Sequence, residues 1–194
     1  MNEPTARQVE IIRATIALIA EEGVHNFSIR KLAKRVGVTE PAVYRHFGSK
    51  DDLMINLATY IVRNWHQLLG ELVVRKLPVI DQTRLIFGEV MDYFDQNRAF
   101  TKTLLSTDLF ANDSGMTAIL LQLKRDGVLR FTELILEGQS TGEVRTDIDV
   151  VGVTHVFFGS VWWVVTDWIE NGFADVLSEK WERMWQSLVL LLAP

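Results

Sequence analysis

The chain has 194 residues and a formal net charge of −5, and 48% of its residues are hydrophobic, which is enough for one core or two small ones. It contains no cysteine, which excludes disulfide bonds, cysteine nucleophiles and cysteine-ligated zinc sites. Its charge is uneven: residues 1–50 hold eight lysines and arginines against five acids, and residues 51–194 hold twelve against twenty. A basic head on an acidic body is expected to approach a polyanion by its head.

The head is predicted to contain three helices. The first runs from Thr5 to Glu22, with apolar residues at helical intervals and Gly23 as its stop. Two shorter helices joined by a tight turn are predicted between Ser28 and Lys50, because Ser28 can cap the first of them and Gly37 lies where the turn is needed. The first helix is expected to cover this pair.

The outward surface of the short helix pair is basic. Between Ser28 and Lys50 six lysines and arginines oppose one acid, and neutralising phosphates releases counterions. Four residues of the second helix share a face that could enter a major groove: Glu40, Pro41, Tyr44 and Arg45. This is the layout of a helix-turn-helix reader of double-stranded DNA. The alternative is that this face is basic only because it is exposed to solvent. The cap, the turn and the charge together favour a DNA-binding helix-turn-helix.

This segment resembles the N-terminal DNA-binding motif of TetR-type transcriptional regulators. The resemblance lies in Val38-Thr39, in the run Tyr44-Arg45-His46-Phe47 and in Ser49-Lys50. It implies that the following side chains approach base edges, the tyrosine also touching the backbone: Arg30, Thr39, Glu40, Pro41, Tyr44 and Arg45. It implies that four further residues lie along phosphates: Ser28, Ala42, His46 and Lys50.

The rest of the chain is predicted to be helical. Ser49 can cap a long helix that continues to about Lys76 and links head to body. Further helices are predicted at Ile80–Gln96, Ala99–Phe110, Met116–Leu136, Val150–Asn171 and Asp175–Leu192, with a turn at 112–115 and a polar connector at 139–149. No alternating strand pattern is present. The expected fold is all-α with about nine helices: a helix-turn-helix domain at 1–49 and a ligand-binding and dimerisation domain at 50–194.

One stretch imitates a membrane span. Val150–Val165 carries no formal charge, but it is shorter than the roughly 18 to 20 residues that a spanning helix needs. It is therefore predicted to be a helix buried on most sides in a soluble protein, with no membrane partner. The N-terminus has no apolar h-region of a secretory signal, so a cytoplasmic location is expected.

The last two helices hold five of the six tryptophans. A helix that is apolar around most of its circumference needs cover on several sides, and a second subunit can supply it. The predicted anchors of a homodimer interface are Trp163, Trp168, Trp181 and Trp185. An intrachain core would use the same residues. The TetR resemblance implies the same dimer, in which two recognition helices read successive major grooves of a palindromic operator.

Soft and flat side chains at helical spacing could line an apolar cavity in the body. The candidates are Trp65, Phe87, Met91, Phe94, Leu120, Phe131, His155, Phe158 and Trp162. The resemblance implies that a small apolar or amphipathic effector binds there and releases a repressor from its operator. Ordinary core packing is the alternative, and His155 is expected to be a hydrogen-bonded core histidine.

No enzyme, metal site or cofactor is predicted. None of the four histidines is spaced as a metal pair, and no glycine-rich phosphate loop or nucleophile elbow is present. Two other DNA-binding functions stay open. One is a regulator controlled by a protein partner, as in the nucleoid-occlusion branch that the Tyr44–Lys50 run also resembles; the other is an architectural binder with little specificity.

Overall fold

The computed structural model describes residues 3–73, 77–105 and 114–194, and within these ranges the chain forms nine α-helices and no β-strand. The predicted all-α class is confirmed. The helices are α1 (Ala6–Glu22), α2 (Ile29–Val36), α3 (Glu40–His46), α4 (Lys50–Val73), α5 (Val79–Gln96), α6 (Arg98–Leu104), α7 (Ser114–Thr141), α8 (Val150–Glu170) and α9 (Leu177–Leu188). Short 3-10 turns follow α1 at Val24–Asn26 and α9 at Val189–Leu191.

The three-helix head forms around one small core. At the start of α1 the Thr5 hydroxyl accepts from the Gln8 amide at 3.2 Å, and the Gln8 side chain accepts from the Thr5 amide at 2.9 Å, which is a capping box. The core residues with no exposed surface are Ile11, Ile12, Leu32 and Val43. Burying one such side chain stabilises the fold by about 1.5–3 kcal/mol, so the apolar stripes of α1, α2 and α3 hold the head together.

The turn between α2 and α3 has the predicted cap and glycine. The Ser28 hydroxyl accepts from the Lys31 amide at 3.3 Å and begins α2. Gly37 ends it at φ +70°, in the left-handed region, and the Val38 amide then donates to the Ala33 carbonyl at 2.9 Å. The chain reverses in few residues and lays α3 across α2.

The long helix α4 begins at the predicted cap, because the Ser49 hydroxyl accepts from the Asp52 amide at 2.9 Å. Its apolar stripe is buried at Leu53, Leu57 and Ile61. The helix is described to Val73, and its predicted end near Lys76 lies outside the described residues.

Helix α6 packs against the head helix α1, where the Thr103 hydroxyl donates to the Ile16 carbonyl at 3.1 Å. It ends at Leu104, whereas Ala99–Phe110 was predicted to be helical. Residues 106–110 of that prediction, and residues 112 and 113 of the predicted turn, lie outside the described residues. Gly115, which was also predicted to be in that turn, is already helical in α7.

The remaining helices agree with the prediction at most ends. Asp149 caps α8 by accepting from the Gly152 amide at 2.9 Å. The predicted connector at 139–149 starts too early, because α7 continues to Thr141. The last helix begins two residues later than predicted: the Asp175 carbonyl accepts from Trp168 Nε1 at 2.8 Å and its carboxylate pairs with Lys180, which keeps this residue outside α9.

Contacts divide the chain into two compact units, residues 1–65 with 98–122 and residues 66–97 with 123–194. The first unit contains the head, the start of α4, and α6. In the second, α9 packs against both α5 and α8. The predicted boundary after residue 49 separates functions rather than contacts, and it stays a prediction.

Helix α8 is only partly covered by its own chain. Among the described helices, only α8 is long and apolar enough to span a membrane by length and composition. Its most apolar stretch of 18 residues has a mean hydropathy of 1.3, and 22% of that stretch is buried. The prediction that it is buried on most sides is therefore wrong for a single chain. One face packs inside the second unit, and the other presents Val151, Val156 and Trp163 to solvent.

Candidate nucleic-acid interface and effector region

The outer face of α3 presents the residues predicted to read bases. Tyr44 is 43% exposed and Arg45 is exposed, while Val43 and Phe47 of the same stretch are buried against the head core. Five other predicted DNA-binding residues are exposed: Arg30, Thr39, Glu40, Pro41 and Lys50. Three are half-buried: Ser28, Ala42 and His46. All ten side chains therefore keep some surface for a ligand.

The basic residues between Ser28 and Lys50 fall into two groups. Lys31 pairs with Glu22, and Arg35 binds Glu21 through two hydrogen bonds of 2.6 and 2.7 Å. That hydrogen-bonded guanidinium holds the pKa of the Glu21 carboxyl below its ordinary value. Four further basic residues make no ion pair within the described part of the chain: Arg30, Lys34, Arg45 and Lys50. These four charges are available to phosphates or to nucleobases.

Helix α1 braces the recognition pair through side chains that sequence reasoning missed. Gln8 Nε2 donates to the His46 carbonyl at 3.1 Å, and an Arg7 guanidinium nitrogen donates to the Val36 carbonyl at 3.3 Å. Both bonds satisfy carbonyls at a helix C-terminus, where no intrahelical partner exists. They join residues 29 and 38 positions apart, so no local sequence signal could have found them.

At the start of α4, Lys50 Nζ lies 5.5 Å from the centroid of the buried Phe27 ring. This is within reach of a cation–π contact. The contact places Lys50, which is predicted to lie along DNA phosphates, next to a ring of the head core.

The second unit contains a continuous set of packed rings, here called the aromatic cluster. Its members come from α5, α7, α8 and α9: Phe87, Phe131, Phe157, Phe158, Trp181 and Trp185. Phe87 lies at the centre, with ring centroids 5.2 Å from Phe131 and 5.4 Å from Trp181, the latter pair stacked. The cluster forms an apolar interior rich in flat side chains, the surroundings that an apolar group prefers.

The predicted effector residues do not all meet there. Phe87, Phe131 and Phe158 belong to the aromatic cluster, and Met91 and Phe94 are buried on the same helix as Phe87. Two others, Trp65 and Leu120, belong to the first compact unit. His155 and Trp162 are exposed, so the expectation of a core histidine at 155 is wrong.

Sequence reasoning placed Trp181 and Trp185 in an interface and passed over Phe157. The i, i+4 spacing of the two tryptophans on α9 signalled a shared face, and that face packs on the cluster. No group of three or more acidic or histidine side chains that could hold a metal ion occurs within the described ranges.

Three of the four predicted interface tryptophans are core residues of their own chain. Trp168, Trp181 and Trp185 are buried, and Trp168 also packs edge-on against Phe173 at 4.7 Å between ring centroids. The prediction that these three tryptophans anchor a dimer interface is therefore wrong, because other residues of the second unit already cover them. Trp163 is 72% exposed and remains the one available to a partner.

Known proteins resemble this chain both in its head and over most of its length. Residues 11–57 match the model of the bacterial regulatory proteins of the tetR family. The fatty acid metabolism regulator protein of Bacillus subtilis is 23% identical over 173 residues, which cover 88% of each chain. The nucleoid occlusion factor SlmA of a Marinomonas species is 22% identical over 188 residues, covering 96% of this chain and 95% of that one.

Solved structures show the same fold. The regulator FadR of Bacillus subtilis in complex with stearoyl-CoA superposes with a TM-score of 0.81 at 20% identity, over 94% of this chain and 98% of that one. AibR in complex with isovaleryl coenzyme A and operator DNA superposes with a TM-score of 0.69 at 18% identity, over 82% and 86%. Residues 11–57 thus form a DNA-binding head of the tetR family of bacterial regulatory proteins, and the chain as a whole has the fold of the solved regulators FadR and AibR.

Proposed function

We propose that the protein is a cytoplasmic, homodimeric repressor that binds a palindromic operator and is released from it by an amphipathic effector of the acyl-coenzyme A class. The observation that carries the DNA part is the outer face of α3, where a braced head presents to solvent Tyr44 and Arg45, the latter without an ion pair to any described residue. The aromatic cluster carries the effector part.

In this proposal each predicted DNA-binding residue has one of two tasks. Side chains at the N-terminal half and outer face of α3 reach base edges, as does Arg30 of α2. This set is Arg30, Thr39, Glu40, Pro41, Tyr44 and Arg45. Ser28, Ala42, His46 and Lys50 lie along the phosphates. Arg30 and Arg45, which make no ion pair with a described residue, supply the charge, since Lys31 and Arg35 are already neutralised by acids of α1.

The dimer rests on the exposed apolar face of α8. Large apolar side chains on this helix face solvent in a single chain: Val151, Val156, Trp162 and Trp163. An apolar helix face of this size is unfavourable in water, and a second copy of the same face can cover it by two-fold symmetry. Two heads held in this way would read two half-sites of one operator.

The effector class is supported by chemistry and by similar proteins. An acyl-coenzyme A joins an apolar chain to a polar, charged carrier, and the chain requires an interior without charge. The aromatic cluster is such an interior: Phe87, Phe131 and Phe157 contact one another there, and none of them is a charged or polar residue. The similar FadR and AibR structures each hold a coenzyme A thioester.

The test is release from DNA. The operator is first selected from random duplexes with the full chain, and the dissociation constant is then measured with a series of acyl-coenzyme A thioesters from short to long. Coupling between two sites of a regulator is typically about 5- to 150-fold in affinity, and at least one thioester is expected to weaken operator binding by that factor. Free coenzyme A is the control and should have no effect. A protein that binds its operator equally with every thioester would overturn the effector proposal.

One observation favours a second candidate. Nucleoid occlusion factors match this chain over nearly its whole length at 22% identity or close to it. In that alternative a protein partner, rather than a small molecule, controls the DNA-bound dimer. Unchanged operator affinity with every thioester, together with an intact operator complex, is the result that would favour it.

A further inference from the structure

One buried polar group in the aromatic cluster lacks a partner. The indole nitrogen Nε1 of Trp181 is buried, with the whole residue only 2% exposed, and it has no hydrogen-bond acceptor among the described residues. Trp168 shows the usual arrangement, since its Nε1 donates to the Asp175 carbonyl at 2.8 Å. A buried donor without an acceptor destabilises the folded chain, so an acceptor that binds there would relieve that cost.

A glycine lies next to this indole nitrogen. A methyl group built on Gly88 of α5 would lie 3.5 Å from Nε1 and 3.7 Å from Cδ1 of Trp181. Apart from its chain neighbours Phe87 and Glu89, it would meet no other described side chain within 4 Å. The indole itself is held by stacking on Phe87, at 5.4 Å between ring centroids and an interplanar angle of 28°. Because Gly88 has no side chain, room for about one methyl group is left beside this fixed donor inside an otherwise apolar cluster.

We infer that the Trp181 indole N–H donates a hydrogen bond to the thioester carbonyl oxygen of the bound effector. The inference rests on the proposed function and assigns its polar recognition to one atom. The acyl chain lies among the phenylalanine rings of the cluster, and the carbonyl at the head of that chain accepts from Nε1 beside Gly88. A site with a buried donor rejects a ligand that lacks the acceptor, because the donor then stays unpaired.

The experiment compares two ligands on three proteins. The ligands are the acyl-coenzyme A that binds best and the matching alkyl-coenzyme A thioether, which lacks only the carbonyl oxygen. Direct binding to the full chain is measured by calorimetry. The wild-type protein should bind the thioester about tenfold more tightly than the thioether, as expected for one neutral hydrogen bond of roughly 1.4 kcal/mol. Trp181→Phe should bind both within about twofold, since it removes the donor and keeps a ring.

Trp185→Phe is the matched control, because Trp185 packs on Trp181 with centroids 5.7 Å apart and loses the same atoms from the same cluster. It should keep the tenfold discrimination. Gly88→Ala provides a second test that leaves the indole in place. Its methyl group would lie beside Nε1 at an ordinary contact distance, so the protein should fold and lose thioester affinity several-fold.

The outcomes separate the two proposals. If Trp181→Phe keeps the wild-type preference for thioester over thioether, the inference is overturned and the effector proposal stands. The same conclusion follows if Gly88→Ala binds the thioester with wild-type affinity. If the wild-type protein binds no thioester, both proposals fall.

Discussion

Arg35 and Arg45 lie ten positions apart in the same head, and their neighbours give them different tasks. Arg35 is bound by both oxygens of Glu21, so its charge is cancelled within the protein. Arg45 makes no ion pair within the described residues and lies beside Tyr44 on the outer face of α3. Only the second arginine has hydrogen-bond donors to offer the edge of a base, and a guanidinium can use two at once on guanine.

We therefore expect Arg45→Ala to weaken binding to the selected operator by roughly 1–3 kcal/mol and binding to random duplex by less, because a base contact is lost along with a charge. Fluorescence anisotropy on both duplexes at one salt concentration measures this. Arg145→Ala removes the same charge from an arginine already paired with Asp147 and should leave both affinities unchanged. Equal losses on operator and random DNA would show that Arg45 contacts only the phosphate backbone.

The charge of individual residues was readable from the sequence, but their pairing was not. Six basic residues between Ser28 and Lys50 predicted a polyanion partner, and the match of residues 11–57 to the tetR family of regulatory proteins agrees with DNA as that partner. Lys31 and Arg35 are nevertheless neutralised by acids of α1, nine and fourteen positions away. Such pairs depend on how two helices cross, which the spacing of residues within one helix does not specify.

At the scale of the elements, local signals predicted the helices where local chemistry sets their ends. The caps Ser28, Ser49 and Asp149 accept from backbone amides as expected. The start of α9 was wrong because Asp175 is held by Trp168, a contact between two elements. Helix ends are predictable from sequence when the residues that satisfy the terminal amides and carbonyls lie within the same turn.

The turn of the helix-turn-helix provides a test at this scale. Gly37 has φ +70°, a conformation that costs other residues about 1–2 kcal/mol. Gly37→Ala should lower the free energy of unfolding by about 1 kcal/mol in urea denaturation, and weaken operator binding because α3 is displaced. Gly48→Ala is the control: its φ is not positive, and a methyl group there would meet no atom within 4 Å. Equal losses from both substitutions would contradict this explanation.

The sequence does not specify whether an apolar helix face is covered by its own chain or by a second subunit. Helical spacing showed that Trp168, Trp181 and Trp185 belong to apolar stripes, and an interface was predicted for them. The structure places all three inside their own chain. The reverse holds for His155, which lies in an apolar run yet is exposed. Periodicity identifies a face, and only the packing of the other helices decides whether that face is covered.

The exposed face of α8 is the surface on which the dimer depends. Trp163 is the most exposed of its large apolar residues, at 72%, and tryptophans at the centre of an interface often contribute 2 kcal/mol or more. Trp163→Arg should therefore raise the dimer dissociation constant at least about thirtyfold, because it places a charge in the covered patch. Sedimentation velocity over a range of protein concentrations measures this constant.

Loss of the dimer should also be visible on DNA. Operator affinity of Trp163→Arg should fall while affinity for an isolated half-site stays unchanged, since each head keeps its own recognition helix and only simultaneous binding of two half-sites is lost. Leu129→Arg places the same charge at another exposed apolar position, 57% exposed on α7, and should remain dimeric with normal operator affinity. A Trp163→Arg protein that stays dimeric would mean that a different face joins the subunits, and a wild-type monomer would remove the geometric basis for reading a palindrome.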